Sequence, residues 1–168
     1  AKEMAQNIVA FRRSNALFSH VWNTRAIEKI EVIATETIGI EGRADFYEQT
    51  GALKDVLQGH LMQLLALVLM PIPEKFDWKM VPRLRQEALD LLQPANPEKA
   101  LRAQYEGYEN EVANPGSVTE TFASVCLYSK APQWQAVPFY LTTGKALNEK
   151  TTEVRIYFRK AHAGQGNV

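Results

Sequence analysis

The 168 residues are 46% hydrophobic and 23% charged, with nine Gly and eight Pro. That composition fits one ordinary globular domain and excludes disordered, collagen-like and coiled-coil chains. Nineteen basic residues balance nineteen acidic ones, so no basic excess points to a nucleic-acid partner. The single Cys126 cannot form an intrachain disulfide, and three scattered histidines with one cysteine do not make a familiar structural zinc site. A reducing compartment, the cytoplasm, is the expectation.

The chain opens Ala1-Lys2-Glu3-Met4, without a signal-peptide pattern and without a capping residue ahead of its helix formers, which suggests a fragment that begins inside an element. Met4, Ile8, Phe11, Leu17, Phe18 and Val21 then recur at helical spacing and predict a first amphipathic helix over 3–22. Asn23-Thr24 breaks it, and the β-branched segment 27–35 predicts a strand, with imperfect alternation. Two glycines in Ile38-Gly39-Ile40-Glu41-Gly42-Arg43 suit a loop. A long helix is predicted over 47–70, apolar nearly all round in its second half and stopped by Pro71 and Pro73. Its apolar run, Leu64 to Met70, is far short of the roughly 20 residues that span a bilayer, so a soluble protein without a membrane partner is expected.

A third, more exposed helix is predicted over 81–92, ended by Pro94 and Pro97. Strands follow at 101–105, 119–128, 138–142 and 153–159, separated by turn clusters such as Asn114-Pro115-Gly116-Ser117. The small, polar stretch 162–168 is expected to fray. Helices before strands argue for α+β, with helices packed on a large, mainly antiparallel sheet, and no domain boundary is visible within 1–168.

Among residues able to carry chemistry, His60 lies in the middle of the most buried predicted helix, where an imidazole must be hydrogen-bonded or functional. The plain alternative is a satisfied core histidine. Asp55, five residues earlier, falls about 140° away around an ideal α-helix, so the two make no dyad, but a ligand lying against Gly59 on the arc between them would touch both. The plain alternative for Asp55 is a solvated surface carboxylate. Lys2, Lys145 and Lys150 are unremarkable alone, although Thr142-Thr143-Gly144-Lys145 puts a cation directly after a strand and a glycine, and a dianionic phosphate needs several such donors. Neither GxxxxGK[ST] nor GxGxxG occurs, so no nucleotide-binding loop is present. Cys126 between Val125 and Leu127 reads as a packed thiol, and Trp22, Trp78 and Trp134 as core or turn packing.

Taken together, several blocks resemble the C-terminal domain of glucose-6-phosphate dehydrogenases: Ala1-Lys2-Glu3, Trp22-Asn23, Glu36 through Arg43, Gly51 through Leu61, Gln104-Tyr105, and Val137-Pro138-Phe139-Tyr140 through Gly144-Lys145. The resemblance covers nearly the whole chain. It implies a domain incomplete at both ends, belonging to an enzyme that oxidises glucose 6-phosphate to its lactone and passes hydride to NADP or NAD. By resemblance, His60 is the general base, Glu36 and Asp55 are sugar-hydroxyl ligands, and Lys2, Lys145 and Lys150 are cationic ligands of the substrate site. The dinucleotide-binding domain, and the family's aspartate and His-Tyr pair that precede Lys2, lie outside the chain, so the chain alone is expected to be inactive. No metal is implied. Gly59 stands where the family usually has Asn, and Ala44 and Asp45 where it has glycines. Arg155 fits one position of a second NADP site found in some members, but Thr142 and Thr151 replace others, and that site is not expected. A homodimer or higher assembly through the sheet is implied, and a non-catalytic sugar-phosphate-binding or assembly module of the same fold is the alternative. An edge strand at 153–159, with Val154, Ile156 and Phe158 alternating, would invite self-association.

Overall fold

In the computed structural model, residues 2–160 are described, apart from the side chains of residues 2–4, 16 and 17. The predicted first helix is two: α1 (Lys2–Ser14) and the single turn α2 (Ala16–Ser19). They break at Asn15, whose side-chain amide donates to the Phe11 carbonyl at 2.8 Å, a local bond of the kind that competes with helix continuation. Strand β1 (Ile27–Thr35) has the predicted bounds. Its imperfect alternation is a register shift between Ile27 and Lys29, which lets Ile27 share the buried face with Ile30 and Val32.

The long predicted helix divides into α3 (Ala44–Ala52), a π-helical stretch (Leu53–Leu61) and α4 (Met62–Leu69). Gly51 makes the first division, because its φ of 60° and ψ of 180° are not helical and suit only glycine. Within 44–69 lies a segment long and apolar enough by composition to cross a membrane, yet its apolar end, Leu64 to Met70, forms the centre of the core. The last carbonyls of α4 lack helical partners, and three side chains from elsewhere supply donors. Arg12 donates to the Leu67 carbonyl at 2.7 Å, Trp22 to Val68 at 2.8 Å and Trp134 to Leu69 at 3.1 Å. Burial lowers the pKa of the Arg12 guanidinium to about 10.

Helix α5 (Val81–Asp90) packs on α4. Strand β2 (Leu101–Ala103) is shorter than predicted, and α6 (Tyr108–Glu111) follows a left-handed Gly107. The remaining strands are β3 (Phe122–Leu127), β4 (Phe139–Gly144) and β5 (Thr151–Phe158). Together they form one five-stranded sheet in the order β2-β3-β4-β1-β5. Three of its pairings are antiparallel, as expected, whereas β1 and β4 run parallel. One face buries Val125 and Leu127 of β3, Phe139 and Leu141 of β4, and Ile30 and Val32 of β1 in the same cluster as α4. Cys126 points to the opposite face and is half-buried. The expectation about 162–168 lies outside the described residues.

Candidate functional site

The parallel pairing of β1 and β4 builds the site. Thr35 and Gly144 are partners at the C-terminal end of that pair, so the next residue of each strand, Glu36 and Lys145, emerges at the same point. The Glu36 N–H donates to the Gly144 carbonyl at 2.9 Å, and the Lys145 N–H to the Thr121 carbonyl at 3.0 Å. Their side chains form an ion pair in which Lys145 is 4% exposed and Glu36 41%. A buried ammonium requires such a partner. The Lys145 ammonium also sits over the Tyr47 ring, 5.6 Å from its centroid.

The π-helical stretch forms the facing wall. Its backbone pairing is five residues back, as where the Met62 N–H donates to the Leu57 carbonyl. At about 4.4 residues per turn, a five-residue step returns to within about 50° of its start instead of the 140° of an α-helix. Asp55 and His60 therefore share a face, and the expected separation across Gly59 is corrected. The expectation of burial is corrected too: His60 is exposed, with Gln58 and Gly59 beside it, while Leu57 and Leu61 turn inward. A satisfied core histidine is thereby excluded, and Asp55 is half-buried rather than fully solvated.

A cleft of about 330 Å³ lies between these walls and is lined by Glu36, Asp55, His60, Lys145 and Lys150 together. Five of the six sequence-predicted site residues thus meet in one place. The side chain of the sixth, Lys2, lies outside the described residues. The sequence reading missed Arg43 and Tyr47, which also line the cleft. Arg43 is held by its Nε donating to the Ile40 carbonyl at 3.3 Å, and the Ile40 N–H donates in turn to the Tyr105 hydroxyl at 3.3 Å. The signal for Arg43 was its place in the Gly42-Arg43 loop block. Tyr47 lay in an ordinary helical pattern and carried none.

Chemically, the cleft offers an accessible imidazole for proton transfer, two carboxylates that accept from hydroxyls, and three cations suited to an anion. It lies beyond the carboxyl ends of parallel strands, where open sheets commonly bind ligands. The turn after β1 begins with Glu36, whose charge opposes a pyrophosphate, so this turn is not a phosphate-binding turn of the dinucleotide-binding kind. Among the described residues no cluster of His, Cys, Asp or Glu side chains is arranged to hold a metal ion.

Comparison with known proteins gives the same result from sequence and from structure. The family model described as "Glucose-6-phosphate dehydrogenase, C-terminal domain" matches residues 9–166. A glucose-6-phosphate 1-dehydrogenase of Chlamydia muridarum is 36% identical over 171 residues, covering 95% of this chain and 34% of its own length. One from Gluconobacter oxydans is 37% identical over 174 residues, covering 95% and 35%. Among solved structures, the Mycobacterium avium glucose-6-phosphate 1-dehydrogenase superposes with a TM-score of 0.86 at 33% identity, over 92% of this chain and 35% of the other. A glucose-6-phosphate dehydrogenase in complex with its substrate glucose-6-phosphate superposes with a TM-score of 0.89 at 31% identity, over 98% and 36%. The chain thus spans about a third of the length of the curated relatives it matches.

Proposed function

The chain belongs to the glucose-6-phosphate dehydrogenase family, matching its C-terminal domain, and from that premise we propose that its cleft binds glucose 6-phosphate and contributes the general base for oxidation at C1. The observation that carries this reading is the assembly of Glu36, Asp55, His60, Lys145 and Lys150 in one cleft. Lys145 and Lys150 hold the phosphate as point charges, and Lys2 is assigned to the same ligand set on resemblance alone. Glu36 and Asp55 accept from sugar hydroxyls, which orients the ring.

In this scheme the exposed His60 imidazole takes the C1 hydroxyl proton as the C1–H bond breaks. The hydride acceptor in this reading is a nicotinamide dinucleotide, NADP, which the family resemblance assigns to a separate dinucleotide-binding domain. The chain by itself therefore binds substrate without turning it over. A cytoplasmic location agrees with an unpaired Cys126. Homodimerisation through the sheet agrees with β5 being an edge strand among the described residues, with Phe158 exposed.

Calorimetric titration of the chain with glucose 6-phosphate, against glucose and inorganic phosphate, tests the binding. Saturable binding of the sugar phosphate, stronger than of either part, is expected; equal affinity for all three would overturn the assignment. In a protein where the chain is joined to a dinucleotide-binding domain, His60→Ala should lower kcat by about 10²–10⁴-fold with little effect on substrate affinity. A kcat within a few fold of the unsubstituted protein would leave a non-catalytic binding module as the reading.

A further inference from the structure

Tyr47 is fully buried. Its ring packs edge-on against Tyr108 with centroids 6.2 Å apart, in a small cluster with Ile40. Its hydroxyl oxygen has no hydrogen-bond partner among the described residues. The neighbouring phenols differ: Tyr108 donates to Glu48 at 2.7 Å, and Tyr105 donates to Glu111. A buried hydroxyl without a partner destabilises a fold, and phenylalanine would pack the same ring without that cost.

Tyr47 belongs to the cleft wall, with its hydroxyl buried behind the surface. Tyr47 lines the cleft together with Asp55 and Glu36, and Lys145 lies over its ring. Burial first, and then the charges of Asp55, Glu120 and Glu36, hold the hydroxyl well above the usual tyrosine range. It remains protonated and is available as a donor. A neutral donor beside two acceptor carboxylates matches a sugar hydroxyl, which both gives and takes a hydrogen bond.

We propose that the Tyr47 hydroxyl donates a hydrogen bond to one ring hydroxyl of the hexose phosphate, on the Asp55 side of the cleft, and thereby contributes to selecting the sugar. This inference rests on the functional reading above. Because Tyr47 is fully buried, the contact requires the ligand to displace a side chain that covers the hydroxyl.

The test compares the chain with its Tyr47→Phe variant. Each is titrated by calorimetry with glucose 6-phosphate and with its singly deoxygenated analogues, and each is unfolded thermally without ligand. Tyr47→Phe should raise the Kd for glucose 6-phosphate about three- to tenfold, while one deoxy analogue binds both proteins equally, as a double-mutant cycle requires of a paired contact. The Tm of the variant should be no lower than that of the unsubstituted chain. An unchanged Kd, an equal weakening of every analogue, or a Tm lowered by several degrees overturns the inference and leaves the functional reading standing. Failure of the unsubstituted chain to bind glucose 6-phosphate overturns that reading and this inference with it.

Discussion

Replacing Gly51 by alanine tests how the fold aims the helix that carries Asp55 and His60. Gly51 is buried, and its backbone lies at φ 60° and ψ 180°, a region that costs a residue with a Cβ about 1–3 kcal/mol. The added methyl would also stand 2.8 Å from Glu120 Cδ, so the carboxylate must move. That carboxylate accepts from the Leu53 N–H at 2.9 Å, at the entry to the π-helical stretch. Loss of a hydrogen bond to a charged group adds about 1.5–3 kcal/mol. The expected total is about 2.5–6 kcal/mol, a large share of the 5–15 kcal/mol of a typical domain. Urea unfolding followed by tryptophan fluorescence measures it, with the m-value checking that the same transition is compared. In a Glu120→Ala background the Gly51→Ala cost should fall by at least about 1 kcal/mol, because one source of the clash is gone. A loss below about 1 kcal/mol in the unsubstituted background, or strict additivity of the two changes, would refute the account of Gly51 as a conformational switch point held by Glu120.

Two further outcomes follow from local geometry. At Gly59 a Cβ would meet only the Lys54 carbonyl oxygen, at 3.5 Å, and the backbone is not left-handed, so Gly59→Ala should stabilise the chain by about 0.5–1 kcal/mol; a loss in chemical denaturation would contradict this. Glu48 experiences burial that raises its pKa, but hydrogen bonds from Ser117, Tyr108 and Asn114 outweigh it and hold the carboxyl below the usual range. Its contribution to stability is therefore present above the unfolded value of about 4.3 and is lost as pH falls through the lower folded value. Glu48→Gln should be less stable than the unsubstituted chain at neutral pH, with the gap closing in acid, and parallel stability profiles from pH 7 down to pH 3 would exclude the linkage.

Much of the architecture is legible in the order of residues. The bounds of β1, the proline stops after the buried helix, and the later β-rich segments follow from local periodicity and turn chemistry, which act over a few residues. The sequence reading failed where distant chain decided the outcome. The long helix is continuous by pattern, yet it breaks at Gly51, where Glu120 closes in on the backbone, and it widens to π-helical pairing that no periodicity announces. That widening moved Asp55 onto the face of His60 and turned the imidazole outward from an apparently buried segment.

The sequence by itself determined the α+β class, the family, and the residue types the site would use, because helix and strand periods and motif blocks are written in neighbouring positions. Only the tertiary structure decided that Glu36 and Lys145, more than a hundred residues apart, would meet. Their meeting depends on β1 and β4 pairing in parallel with Thr35 opposite Gly144. Strand direction and register come from burying one face of a whole sheet against α4, a constraint that no local stretch contains.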